Sequence, residues 1–532
     1  MRREAGAGLS MNGAAHAPGK RGDRAQRPRG DVLDATRRLG LSVRRRARIA
    51  AIGLGAAVAI AAAPARADTI ATNRYSLDFF QGASLAPIRV IGIGGAYAGV
   101  ADGISGFVSN ASSPALRDSS STKWTELDAA VSLSLPLVLV ERADFDNSGK
   151  IDQAYTDFIY LAAGGLLQLG PFGAGFIAEA QRYTLRSGGV RTDVNIGRAH
   201  VLAAWSFLGG QLMLGGGARI GGMFLQTPDA QFTMLGVAPE FGFLVRPDWK
   251  SFRFGATFRM PVEAGELGSP QLRVDDNGLR RAGGLVLPDH VVWPWELEVG
   301  LAVQVGPRPL NPRWINPHDQ EAELSALQAI ERKRREAARA LELAGISDAS
   351  ERRLRAKEHE EARAREAEDD RRTFEKTAAQ LQKERVARYW NWPREMLLVT
   401  AELLVTGNVP RGVGLEGFLG QGLPPGSAPA GSFIGSSGSD INFSPRFGIE
   451  TEPIPNRVHT RFGSYYEPRR LKLADESATL GVGRQHFTFG ADLRVLTTTF
   501  WGLVPEITYT LQASVDIAPR YESFSVGIGN WR

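Results

Sequence analysis

The chain has 532 residues, 61 of them glycine, and no cysteine. That length holds several soluble domains or one large barrel, and the lack of Cys excludes disulfides, Cys-bearing zinc sites and thiol catalysis. The formal charge of +6 comes from the first 67 residues, which hold 14 Lys/Arg against 4 Asp/Glu; the remainder carries −4, so the basic balance gives no reason to expect nucleic-acid binding.

Residues 1–67 read as a leader. Arg44, Arg45, Arg46 and Arg48 form a basic flank, Ile49–Ala63 is an apolar run too short to span a bilayer, and Ala65-Arg66-Ala67 supplies a small-x-small cleavage step. The exported chain is expected to begin at Asp68. The arginines also suggest twin-arginine export, but the motif is poor and the general secretory route is favoured. The stretch 1–43 is long for such a leader, which points to a start further downstream.

Residues 68–122 come next. They contain Ile88-Arg-Val-Ile-Gly-Ile-Gly-Gly-Ala-Tyr-Ala-Gly-Val-Ala-Asp102 and then Asn110-Ala-Ser-Ser-Pro-Ala-Leu116. Gly92-x-Gly94-Gly95 mimics a dinucleotide-binding turn, but that fingerprint needs a βαβ unit and a distal acidic residue, and neither follows. The segment instead resembles the N-terminal signature of the FadL-type outer-membrane family, transporters of long-chain fatty acids and aromatic hydrocarbons and their relatives. Arg89, Gly92, Gly94, Gly95, Ala96, Val100, Ala101 and Asp102 match its core. Asn110 and Pro114 match its end, with Ala111-Ser112-Ser113 between them. The match covers about thirty residues. It implies a hatch folded inside a fourteen-stranded barrel, and a function in passing hydrophobic small molecules. Ile91, Ile93, Tyr97 and Phe107 are candidates to line an apolar pocket beside that hatch, or simply to pack it against the wall.

Asp144-Phe-Asp146-Asn-Ser148-Gly149-Lys-Ile-Asp152 has the oxygen ligands of a calcium loop at positions 1, 3, 5 and 9, although Tyr155 stands where the bidentate Glu belongs. Asp144, Asp146, Ser148 and Asp152 are the candidate Ca2+ ligands, and a hairpin loop is the plainer reading. No cofactor is otherwise required.

From residue 124 onward the chain alternates apolar and polar residues, most clearly in Phe252–Met260, Trp295–Val305, Leu397–Thr406, Phe487–Val495 and Ile507–Ile517. A strand puts successive side chains on opposite faces, so each has one oily and one wet side. Each is roughly 9–11 residues, the length that crosses a bilayer at a tilt. About fourteen strands are predicted, over 124–139, 155–169, 172–184, 197–208, 211–225, 237–246, 251–262, 291–306, 395–407, 443–452, 457–466, 485–495, 503–517 and 521–531. Short connections alternate with longer ones at 140–154, 185–196, 226–236, 263–290, 408–442 and 467–484. That parity places both ends of the barrel strands in the periplasm. The Gly/Pro/Ser-rich stretch 408–442 reads as mobile surface.

The wet faces carry Arg253, Arg259, Glu296, Glu298, Glu402, Asp492, Arg494, Glu506, Gln512 and Asp516. Charges of both signs suit ladders between hatch and wall, or a hydrophilic pore. An enzymatic barrel needs a His beside a Ser on the wall; His200 and His486 are the candidates, and neither sits in a nucleophile motif.

Residues 318–388 break the rhythm. They predict a charged helical hairpin, the first helix over Glu321–Ala344 ending at Gly345, the second capped by Ser347 or Ser350 and running to Arg388. Glu351–Arg355, Glu361–Arg365 and Glu368–Arg372 support an exposed helix, and Leu324, Leu327, Leu341, Leu354 and Phe374 offer an internal seam. Parity puts the hairpin in the periplasm. The C-terminus ends on Trp531-Arg532, close to the aromatic terminus that barrel-insertion machinery reads.

The expectation is therefore an all-β membrane protein: a monomeric antiparallel transmembrane barrel of about fourteen strands. Its parts are a leader (1–67), a hatch (68–122), strands one to eight (123–317), a helical insertion (318–388) and strands nine to fourteen (389–532). It is expected in the outer membrane of a Gram-negative bacterium, in contact with lipid and lipopolysaccharide, passing a hydrophobic ligand without chemistry. The alternatives are an interaction barrel whose hairpin binds a periplasmic partner, and a pore for polar solutes.

Overall fold

The computed structural model describes residues 72–530 except 81, 83–84, 119–120, 138–143, 148–154, 188–189, 227–230, 267–272, 283–284, 422–435, 473–482 and 499–506. The leader with its cleavage step, Ser148, Asp152, Glu506 and the Trp531-Arg532 terminus lie outside the described residues.

Fourteen antiparallel strands close on themselves. They are β1 (Thr125–Pro136), β2 (Tyr155–Leu169), β3 (Phe172–Ser187), β4 (Val190–Phe207), β5 (Leu212–Gln226), β6 (Gln231–Val245) and β7 (Phe252–Arg259), then β8 (Glu296–Val305), β9 (Leu397–Thr406), β10 (Asn442–Ile454), β11 (Val458–Glu467), β12 (Arg484–Thr498), β13 (Ile507–Ala518) and β14 (Tyr521–Asn530). Every strand pairs with its sequence neighbours, and Val131–Pro136 of β1 pair with Ser523–Ile528 of β14, so no edge is left to template aggregation. Alternation sets the faces. In β8, Leu301, Val303 and Val305 point outward and are exposed, whereas Glu298, Ala302 and Gln304 point inward and are buried. Phe254, Phe258, Leu403, Phe487, Phe489, Leu511, Phe524 and Ile528 continue the apolar exterior round the barrel, the band that lipid requires. No described helix is long and apolar enough to cross a membrane.

Each of the fourteen expected strands has a counterpart. The connections differ. β3 and β4 run to Ser187 and from Val190, and β5 and β6 to Gln226 and from Gln231, so 185–196 and 226–236 are mostly strand rather than long loops. Arg182, Arg186, Arg191 and Asp193 interrupt the apolar pattern there, but beyond the apolar band a strand needs only backbone pairing.

The stretches 263–290 and 408–442 also hold structure. Past Pro261 and before Pro294, which cannot donate to a ladder, the chain continues as Val262–Glu266 and His290–Trp293. These join an inner sheet with Ser76–Asp78, Gly412–Gly414, Ser436–Ser437 and Leu471–Lys472. Ser76–Asp78 is its centre, paired in parallel with His290–Val292 on one side and Gly412–Gly414 on the other. Val262, Ala264, Val291 and Leu77 are fully buried. The described part of 408–442 is therefore packed rather than a surface loop: Phe418, in the helix Leu415–Gly420, has no exposure.

At the opposite end of the barrel, between β8 and β9, two antiparallel helices follow: α1 (Pro317–Gly345) and α2 (Ala349–Trp390). The side chain of Asn316 caps α1 by accepting from His318 N at 3.1 Å, and Asp348, not Ser347 or Ser350, caps α2 by accepting from Ser350 N at 3.0 Å. With 42 residues, α2 is about 60 Å long at ~1.5 Å per residue. The expected leucine seam is not what holds the pair. Leu324 and Phe374 are half-buried, but Leu327, Leu341 and Leu354 are exposed. The seam is polar: Arg335 bridges Asp370 at 2.7 Å and Glu366 at 3.3 Å, Arg339 also meets Glu366, and His359 meets Glu342 at 3.2 Å. Of the i,i+4 pairs, Glu361–Arg365 (3.7 Å) and Glu368–Arg372 (2.9 Å) form, while Arg355 turns to Glu358 at 2.9 Å.

Candidate functional site

Residues 85–118 lie inside the barrel as a continuous plug. After Pro87 the chain makes one helical turn, Ile88–Gly92, and then two 3-10 turns, Ile104–Val108 and Ser113–Ala115. A helix where a dinucleotide fold needs a strand, inside a barrel, removes the βαβ reading. Gly94 and Gly95 have φ of +65° and +75°, the left-handed region that glycine enters without penalty. A side chain at Gly94 would also meet Ser464 N at 2.6 Å.

The wall answers with glycines of its own. Gly173 (β3), Gly215 (β5), Gly242 (β6), Gly255 (β7), Gly300 (β8), Gly448 (β10) and Gly463 (β11) all face the plug, and a methyl on any of them would come closer than 3.0 Å to its backbone. Gly490 (β12) meets Gly92 directly, each closing on the other's Cα. Glycine weakens a strand, so a belt of them on one level reflects how closely plug and wall backbones approach. Sequence reasoning assigned the glycines of the plug and missed these; the signal was glycine at inward positions of successive strands.

Arginine–carboxylate pairs fix the plug laterally. Arg89 binds Glu450 on β10 through Nε (3.0 Å) and Nη2 (2.9 Å), and Asp102 at 3.3 Å. Glu450 also takes Arg461 Nε at 2.5 Å, and Arg461 grips Asp492 on β12 with both terminal nitrogens at 2.6 Å. Asp102 accepts from Arg253 of β7 at 2.8 Å, and the same guanidinium donates to Val100 O at 2.9 Å. Glu402 of β9 accepts the backbone N–H groups of Tyr97 (2.9 Å) and Ala98 (2.7 Å), and pairs with Arg446 at 3.0 Å. Asn110 Nδ2 donates to Ala98 O and Phe243 O at 2.9 and 3.0 Å. The Pro114 carbonyl accepts from Gln168 of β2 at 2.9 Å. Arg89, Gly92, Gly94, Gly95, Asp102, Asn110 and Pro114 thus all act at the plug–wall boundary.

The four apolar candidates divide. Ile91, Ile93 and Tyr97 pack in one cluster with Val90, Val100, Ala302 and Leu398; Phe107 belongs to another, with Ile104, Tyr160, Leu166 and Ile177. All four are buried, and burial pushes the Tyr97 hydroxyl pKa up. Of the four, Tyr97 lines a cavity. That cavity, about 460 Å³, and another of about 610 Å³ lie toward the hairpin end of the plug and are walled by Arg89, Asp102, His459 and Arg461 or Glu450. On the other side of the plug, a space of about 400 Å³ is framed by Phe79, Ile196, Trp293 and Tyr160, with Gln181, Arg198 paired to Glu179, and Arg219 paired to Glu296. Phe79 stacks on Trp293 at 4.7 Å, and Arg219 Nε there has no hydrogen-bond partner. Sequence periodicity gave no hint of this cavity, because Phe79 and Trp293 come from segments that leave the wall.

Asp144 is buried and Asp146 half-buried. Arg484 donates to the carbonyls of Asp144 and Phe145, the latter at 3.0 Å, so this turn is tied to β12. Both candidate histidines face the lumen in carboxylate company: His200 Nδ1 is 2.8 Å from Glu240, and His486 is 2.9 Å from Asp516 and 2.7 Å from Glu467.

Among solved structures, the chain is similar to the toluene transporter TodX of Pseudomonas putida, at 8% identity over 86% of this chain and 99% of that one, with a TM-score of 0.40. The "CymD monoaromatic hydrocarbon channel" shows 8% identity over 83% and 97%, TM-score 0.40. CdiB from Acinetobacter baumannii shows 9% over 76% and 60%, TM-score 0.32. No protein-family model matches the sequence, and no curated protein matches it in sequence.

Proposed function

We propose that this chain is an outer-membrane channel for the uptake of hydrophobic small molecules of fatty-acid or hydrocarbon type, with the helical hairpin in the periplasm, and that the plug is its gate. The carrying observation is the aromatic-framed cavity at Phe79 and Trp293, on the side of the plug away from the hairpin. Its stacked rings offer an apolar face, and its guanidiniums are paired with Glu179 and Glu296, which leaves Arg219 Nε as the donor for one polar end. The resemblance of Arg89–Asp102 to the FadL-type signature points the same way.

On this reading a solute enters from the outer end, rests at the cavity and passes when the plug shifts, driven only by its gradient. No bond is made or broken. Both lumenal imidazoles are held by carboxylates, which supports a structural role for them. A mixed-charge lumen speaks for a polar-solute pore only if the plug leaves, since the wall and plug backbones are in contact. The Asp144 loop keeps Ca2+ as a proposal of stability rather than transport. Uptake of a radiolabelled long-chain fatty acid and of toluene by a deletion strain carrying the wild-type chain, or Trp293→Ala, tests the reading. Uptake restored by wild type and reduced several-fold by the variant is expected; equal uptake with and without the chain contradicts it.

The second reading, an interaction barrel, is favoured by Leu327, Ile330, Leu341 and Leu354, exposed by 58, 59, 78 and 61% on the hairpin. Deleting 318–388 separates the two: an envelope defect with intact uptake supports the arm, and intact envelope with intact uptake removes it.

A further inference from the structure

Where the hairpin meets the barrel rim, a pocket of about 360 Å³ is lined by Arg313, Trp314, Arg385, Arg388, Tyr389 and Trp392, with Asp118 as its one carboxylate. It lies beyond the apolar band, between the chain leaving β8 and the last turn of α2. Three guanidiniums against one carboxylate leave it two charges positive.

The unsatisfied atoms in and beside it are of one kind. Trp314 Nε1 and Arg385 Nε are buried without a hydrogen-bond partner, and the Tyr389 hydroxyl, on a residue 4% exposed, faces Arg394. Arg385 spends one terminal nitrogen on Gln320 across the hairpin. Directly behind, Arg394 stacks on the Tyr389 ring at 4.6 Å and donates to its carbonyl at 3.1 Å. Buried donors without acceptors each cost free energy, and here they are guanidinium and indole groups of residues that line one space. A cation is repelled by it, and a neutral apolar molecule would leave the donors unmet. What satisfies it is a compact ligand that is all acceptor and carries about two negative charges, and guanidinium forks suit tetrahedral oxyanions in particular.

We propose that this pocket binds a phosphate group, from the headgroup of an anionic phospholipid in the facing leaflet or from a free phosphate. Trp392 lines the pocket and Trp390 ends α2, and tryptophan is the residue type that sits at headgroup level beside a barrel. A bound phosphate would bridge Arg313 before α1 to Arg388 at the end of α2, and so brace the base of a hairpin whose own seam is polar and only half-buried.

The full chain in non-ionic detergent is titrated with inorganic phosphate and with acetate by calorimetry, and examined by native mass spectrometry with phosphatidylglycerol and with a neutral diacylglycerol. Phosphate binding without a lipid adduct assigns the free anion. A phosphatidylglycerol adduct with no response to inorganic phosphate assigns the headgroup. Either is expected to weaken tenfold or more in the Arg313→Gln, Arg388→Gln double variant, both exposed positions, and a few-fold in Tyr389→Phe, with unchanged heat-modifiable migration of the barrel. Binding of neither ligand, equal binding of acetate, or undiminished binding by the double variant overturns the proposal.

Discussion

The plug boundary and the helical hairpin are built from the same arginine–carboxylate pairs, and those pairs do different things. At the boundary, Arg89 of the plug and Glu450 of the wall are 14% and 3% exposed in their side chains; on the hairpin, Arg365 and Glu361 are 79% and 57% exposed. In water a pair is screened and contributes ~0–1 kcal/mol. Buried, it contributes little net stability against an apolar substitute, yet removing one partner strands a charge and costs ~3–5 kcal/mol. The boundary pairs are therefore a register device: the plug fits in one position, because any other leaves guanidiniums without carboxylates. On the hairpin, exposed pairs such as Glu361–Arg365 lie within one helix and keep it soluble, while the half-buried pairs of Arg335 and Arg339 with Glu366 and Asp370 hold the two helices side by side.

The contrast breaks most readily at Glu450, which serves Arg89 of the plug and Arg461 of the wall. Glu450→Ala should lower stability by roughly 3–5 kcal/mol, seen as a lower denaturant midpoint and as faster proteolysis within 85–118. Next is the glycine belt. Gly463→Val sets a side chain against the Gly94 backbone and should cost ~1–3 kcal/mol through overpacking; in planar bilayers it should raise conductance, as a displaced plug opens the lumen. Third is Asp78, whose carboxylate accepts from Ser437 at 2.6 Å and Arg470 at 2.7 Å. Asp78→Ala removes that carboxylate, but Arg470 keeps its bonds to Gly407 O at 2.7 Å and Asn442 Oδ1 at 2.9 Å, so the cost should fall below that of Glu450→Ala, at ~1–3 kcal/mol, and hydrogen exchange should quicken at Leu77 while β12 and β13 stay protected. Smallest is Glu361→Gln on the hairpin, expected to change stability by less than ~0.5 kcal/mol; an effect as large as that of Glu450→Ala would erase the distinction between the two regions.

The barrel was legible because period two is a property of any half-buried strand, and Trp295–Val305 or Phe487–Val495 display it without interruption. Beyond the apolar band the same strands turn polar, which is why 185–196 and 226–236 read as loops. The plug was legible through Arg89, Gly94 and Asp102, residues whose types the close approach dictates. Three things were not. Ser76–Asp78 pairs with strands more than 200 residues away in sequence, and nothing local announces such a partner. Phe79 and Trp293 meet only because Pro261 and Pro294 end the wall strands. The hairpin seam was misassigned because leucines at helical spacing invite an apolar interface, whereas Arg335 and Arg339 reach Glu366 and Asp370 first.

The central claim, that solute passes only when the plug moves, is tested by fixing it. The chain has no cysteine, so Ala111→Cys with Thr257→Cys introduces a single pair, placed where Ala111 N and Thr257 Oγ1 are 2.9 Å apart. Closed by oxidation or a short bis-maleimide, this link holds the plug to β7. Uptake by cells carrying the linked chain should fall to the level of the deletion strain and, for the disulfide, return on reduction. Uptake that is the same in the linked and reduced states would contradict the account.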